Sequence, residues 1–126
     1  MKRIRFRIDV DRIKPYVRMT QKGKYVDPQA QEYLASKAEL QIKMVSYMSM
    51  NDIDMFPART PLNVTLDFIV PSSQGHRADC DNLIKAVIDA GNGILYPDDR
   101  WIDVILAERS IGDNPGVYIF IETLDL

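Results

Sequence analysis

The segment between His76 and Asp99 holds the residue types best suited to chemistry. It reads His76-Arg77-Ala78-Asp79-Cys80-Asp81-Asn82-Leu83-Ile84-Lys85-Ala86-Val87-Ile88-Asp89, and Asp98-Asp99 follow shortly after. At 3.6 residues per turn, Asp81, Lys85 and Asp89 climb one helix face in steps of four, while Leu83, Ile84, Val87 and Ile88 cover roughly the opposite face. Asp79 stands just before that helix, so it can meet Asp81 only if the chain turns between them. Asp79, Asp81 and Asp99 (or Asp98) make a carboxylate set without imidazole. Such hard oxygens suit magnesium, which can neutralise charge on a phosphate and activate water, and one or two ions are equally compatible. Lys85, one turn above Asp81, is spaced to meet the charge of a phosphate in its transition state or to orient water. Each part has a plainer reading on its own: Asp79 or Asp81 as a helix cap, Asp81–Lys85–Asp89 as a surface ion ladder, Asp98-Asp99 as turn chemistry.

Other chemistries fit less well. One cysteine, Cys80, and one histidine, His76, exclude a disulfide framework and any Cys/His zinc site within one chain. A Cys80–His76 pair has no third group to orient the imidazole, and Cys80 reads as a small packing residue. Counted from Asp79 as a calcium loop, Ile84 falls where glycine is needed and Ala90 where glutamate is needed. No Gly-x-x-x-x-Gly-Lys phosphate loop is present.

The elements that must position these residues follow from periodicity. Ile4, Phe6 and Ile8 alternate with Arg3, Arg5, Arg7 and Asp9, a half-buried strand with a wet arginine side. Residues 11–27 form a basic loop with a short hairpin expected around Lys22-Gly23. Asp27-Pro28 opens a helix expected to reach about residue 49, with methionines as core filler. Pro57 and Pro61 mark the linker over 51–61, and the alternating stretch 62–70 is a strand. After a loop over 71–76, a helix over about 81–90 ends at Gly91-Asn92-Gly93, and Tyr96 to Asp99 turn. Strands over 101–110 and 116–123 are divided by Gly112-Asp113-Asn114-Pro115-Gly116, a strong turn signal. The order β-α-β-α-β-β predicts an α/β fold: one small domain, 1–126, with a mixed sheet of about four strands packed by two main helices.

The 126 residues suit one domain with its own core, and 46% hydrophobic with 27% charged residues fit a soluble globular class. No apolar run approaches the roughly 20 residues of a membrane span, and the alternating start is unlike a signal peptide, so cytoplasmic residence is expected. The net charge is −2 and the pI about 5.3, unpromising for a DNA binder. The distribution is uneven, with a net of +6 over residues 1–45 and −8 over 46–126. A basic region can hold phosphates while an acidic one gathers carboxylates.

Taken together, Asp79-x-Asp81-Asn82-Leu83-x-Lys85-Ala86-x-x-Asp89-Ala90 and the later Asp98-Asp99 closely resemble the RusA family of Holliday junction resolvases. The likeness is strong over about 76–103. It extends more weakly to Lys14-Pro15-Tyr16-Val17-Arg18 and to Lys24-Tyr25-Val26-Asp27-Pro28 before a long helix. The resemblance implies a homodimeric, magnesium-dependent endodeoxyribonuclease of DNA recombination and repair, which resolves four-way junctions by symmetric paired nicks. It implies Asp79, Asp81 and Asp99 as metal-binding catalytic carboxylates and Lys85 as the essential lysine. One departure is the loop Ser72-Ser73-Gln74-Gly75-His76-Arg77, with a single arginine where the family often carries several. Arg12, Lys14, Arg18, Lys22 and Lys24 would compensate by contacting phosphates, and together with Arg77 they are the candidate DNA contacts. Two other functions compete: a non-catalytic branched-DNA-binding protein, and a small-molecule phosphohydrolase using the same carboxylates.

Overall fold

The computed structural model describes residues 2–18 and 27–124. The expected hairpin at Lys22-Gly23, and Lys22 and Lys24 themselves, lie outside the described residues. The elements are β1 (Arg3–Asp9), α1 (Pro28–Met50), β2 (Leu62–Val70), α2 (Cys80–Gly91), a short 3-10 turn (Asp99–Trp101), β3 (Ile102–Ile111) and β4 (Gly116–Thr123). The expected order of elements is thus observed in a small α/β fold.

The four strands form one mixed sheet in the order β1-β4-β2-β3. β4 is antiparallel to both β1 and β2, and β3 runs parallel to β2. The turn at Gly112–Gly116 is therefore not a hairpin: it joins strands that are not neighbours. A local turn signal fixes where the chain bends, whereas β4 lies between β1 and β2 because Val117, Ile119 and Ile121 are buried on the same face as their partners.

That face carries Ile4, Phe6 and Ile8 of β1, Leu62, Val64, Leu66, Phe68 and Val70 of β2, and the three β4 residues. They join Tyr33, Leu40, Met44 and Met48 of α1 and Leu83, Ala86, Val87 and Ile88 of α2 in one hydrophobic cluster. Met44 and Met48 are core filler, as expected, whereas Met50 at the helix end is 84% exposed. Phe68 is fully buried on the central strand β2. Phe68→Ala should lower the unfolding free energy by roughly 3–5 kcal/mol, read from denaturant melts.

The two edges of the sheet differ. On β1 the outward carbonyls have donors from α1: the Tyr47 hydroxyl donates to Arg5 O at 3.2 Å, and Lys43 Nζ donates to Asp9 O. β3 has no such cover among the described residues. Its apolar side chains are open on both faces, with Val104 39%, Ile105 43%, Leu106 58% and Ile111 53% exposed. An uncovered apolar edge strand is a template for pairing with another chain.

Candidate active site

α2 begins one residue earlier than its apolar periodicity suggests, at Cys80, with Asp79 as N-cap in extended conformation. Asp79 makes no side-chain cap hydrogen bond, so its carboxylate is not spent on closing the helix. Asp81 and Lys85 are exposed on the helix face away from the core. Among the described residues, neither Asp79, Asp81 nor Lys85 makes a side-chain hydrogen bond or ion pair.

The third member of the expected ladder, Asp89, behaves differently. It is half-buried, and its Oδ2 accepts the Tyr33 hydroxyl at 2.6 Å and the Lys37 ammonium at 3.0 Å, both from α1. Burial first, and then the bond to Asp89, raises the Tyr33 phenol above the ordinary tyrosine range. Asp89 thus ties α2 to α1 and is engaged by Tyr33 and Lys37 instead of pairing with Lys85. Tyr33→Phe should cost about 1–3 kcal/mol of stability, because the partly buried Asp89 loses a donor. A urea melt with an unchanged slope would show it.

The turn that carries Asp99 is held under the C-terminal end of α2. The buried Tyr96 hydroxyl donates to Ile88 O at 2.7 Å. A Cβ on Gly91 would meet that hydroxyl at 2.6 Å, so glycine permits the approach. Gly93, at φ +78, closes the turn, its N–H donating to Tyr96 O at 2.7 Å. Asp98 and Asp99 then take separate roles. Asp98 caps the 3-10 turn, accepting the Arg100 N–H at 2.9 Å and pairing with the Arg100 guanidinium at 3.4 Å. The backbone N–H, and then the guanidinium, lower its pKa below the usual 3.8. A lowered folded value means that this contribution is complete above about pH 3.8. It fades only as pH falls through the depressed one. Asp99 stays exposed, and its carboxylate accepts the Asn92 amide at 3.3 Å. Asn92 Oδ1, on the same amide, is buried without a donor among the described residues.

Asp99 shares a cavity of about 360 Å³ with Tyr16, Lys85, Asp89 and Ile105. Lys85 and Asp99 are therefore brought together within one chain. Asp79 and Asp81 are not among the residues lining that cavity. Asp81 and Asp89 are eight residues apart, about 12 Å along the helix axis. Among the described residues, no group of three or more Asp, Glu, His or Cys side chains is placed to hold a metal ion.

The cations expected to meet DNA lie mostly beside the start of α2. Arg12 is exposed and donates to Ser73 Oγ at 3.2 Å. Lys14 stands 3.7 Å from Glu32, and Arg18 and Arg77 are exposed. Arg12, Lys14 and Arg77 line one cleft of about 260 Å³. The basic loop itself is docked on α2, since Tyr16 N–H donates to Asn82 O at 3.1 Å. Residues 11–122 match the family model described as Endodeoxyribonuclease RusA. The chain belongs to the RusA family of endodeoxyribonucleases.

A comparison with curated proteins gives no match. RusA-family membership makes the chain a nuclease, a hydrolase acting on DNA, and the basic cleft beside Asp79 is in keeping with that. Three supporting residues were not singled out from the sequence: Tyr33, Lys37 and Asn92. Asn92 lies inside a helix-stop signal, Tyr33 reads as an apolar position of its helix, and Lys37 gives no hint of its partner. No helix among the described residues is long and apolar enough to cross a membrane.

Proposed function

We propose that this protein is a magnesium-dependent, homodimeric endonuclease that resolves four-way DNA junctions by paired nicks, acting in the cytoplasm in recombination and repair. The observation that carries this reading is the RusA family match over residues 11–122, which spans the whole carboxylate–lysine constellation. The donor chemistry fits the ion. Asp79, Asp81 and Asp99 offer hard oxygens, and no cation holds any of the three among the described residues. Magnesium is commonly bound by one or two carboxylates with water and phosphate, so an open set of this kind suits it. When bound, the ion would supply charge neutralisation at the scissile phosphate and a more acidic water.

The rest falls to the chain. Lys85 is a fixed positive charge for the phosphate oxygens, kept available because Asp89 is occupied by Tyr33 and Lys37. Asn92 orients Asp99. Arg12, Lys14, Arg18 and Arg77, with Lys22 and Lys24, supply phosphate contacts along the strands.

Dimerisation would answer the separation of the carboxylates. Consider two copies of β3 paired antiparallel about a two-fold axis at Leu106. Asp103 then faces Arg109 of the second copy, and Ile105 faces its Ala107, so charge and apolar character are both self-complementary. Arg109 Nη1 donates to Ala78 O, next to Asp79. The Asp99 turn of one copy would therefore approach the Asp79–Asp81 helix start of the other. Incubation with a synthetic four-way junction and magnesium tests the function. Symmetric nicks are expected, and bound but intact junction would favour the non-catalytic binder instead. A steep loss of activity with salt separates a DNA substrate from a small phosphate ester.

A further inference from the structure

Gln74 is the one amide or charged side chain that is buried among the described residues, at 4% exposure. Its Nε2 donates to Ile13 O at 3.0 Å, which fixes the amide's orientation, and its Oε1 has no donor among the described residues. A buried acceptor left unpaired is costly, and each one in a native protein calls for an explanation, an incoming donor among them. Gln74 lines the 260 Å³ cleft between the basic loop and the start of α2. Arg12, Lys14 and Arg77 stand around the same cleft, and Pro15 and Val17 give it apolar walls.

An anion fits the cations but not the lone acceptor. A nucleotide suits both: phosphates at the arginines and lysine, and an amino-bearing base against the apolar walls, its N–H reaching the Gln74 oxygen once binding uncovers that solvent-shielded atom. We infer that this cleft takes one unstacked nucleotide of the DNA substrate and that Gln74 Oε1 accepts from its exocyclic amino group. Adenine, cytosine and guanine carry that group, and thymine does not. A site built around a hydrogen bond rejects an analogue lacking it far better than a shape-based pocket does. The cleft includes Ala78, the residue before Asp79, so the base read here would lie next to the cut phosphate. This inference rests on the nuclease reading for its substrate.

The test uses wild-type protein and four-way junctions from which one amino group at a time is deleted: purine for adenine, 2-pyrimidinone for cytosine, inosine for guanine. Binding is read by fluorescence anisotropy in EDTA and cutting is read in magnesium. At one position beside the cut, deletion should weaken binding about tenfold. Gln74→Met, shown folded by circular dichroism, should bind parent and analogue within twofold of each other. Gln74→Glu, which keeps an acceptor there, should retain the preference. Wild type binding every analogue within twofold of its parent overturns the inference, as does Gln74→Met keeping the amino dependence. Nicking without base dependence defeats the cleft alone. Base-dependent binding without nicking defeats the nuclease reading and leaves the cleft.

Discussion

Asp81→Asn should abolish junction cutting while leaving junction binding within about twofold of wild type. The substitution is nearly isosteric and sits at an exposed position in the first turn of α2, where it touches neither the core nor a side-chain partner. Folding should therefore be unaffected, and thermal melts should superimpose. What changes is a carboxylate ligand. Removing one of the few negative oxygens available to a divalent ion takes away several kcal/mol of transition-state stabilisation, on the order of a thousandfold in rate. Single-turnover cleavage in magnesium, with binding measured separately in EDTA, resolves the two effects. A variant that cuts at the wild-type rate would remove Asp81 from the chemistry and with it the proposed site.

The second large effect lies far from any carboxylate. Leu106→Lys should convert the protein to a monomer and bring cutting down with it. Leu106 is 58% exposed on the uncovered strand β3 and lies at the proposed two-fold axis. Two leucines would be lost from the interface, roughly 3–6 kcal/mol of burial. Two lysines would then oppose each other across the pair, which is destabilising. The dissociation constant should rise about 10²- to 10⁴-fold. Sedimentation at micromolar concentration would show one species at half the wild-type mass. The circular dichroism spectrum should be unchanged, because the side chain contributes little to the core of its own copy. A dimer that survives this change would place the two-fold elsewhere on the surface.

Much of this architecture is legible in the residues. The alternation of Ile4, Phe6 and Ile8 with arginines gives β1, and Asp27-Pro28 gives the start of α1, because both are local signals. The pairing order is not local. Nothing in residues 116–123 by themselves reveals that β4 inserts between β1 and β2, since the same alternation would serve a hairpin with β3. The site divides in the same way. Asp79, Asp81, Lys85 and Asp99 stand out by type and spacing. The division of labour between Asp98 and Asp99 depends on which carboxylate reaches the Arg100 N–H, a matter of backbone geometry. Pro97-Asp98 was a turn signal that could have assigned the cap to Asp98. Gln74 was invisible, because a glutamine in a polar loop gives no sign of being buried.

In the proposed dimer, a helix start from one chain and a turn from the other surround the same ion. Mixing inactive Asp81→Asn with inactive Asp99→Asn, allowing subunits to exchange, and measuring junction nicking in magnesium addresses it directly. In a mixed dimer, one site would combine the intact Asp79–Asp81 of the first variant's partner with an intact Asp99. Nicking should therefore return, one strand at a time and only after mixing. A mixture that shows verified subunit exchange and stays as inactive as either variant alone would contradict the account.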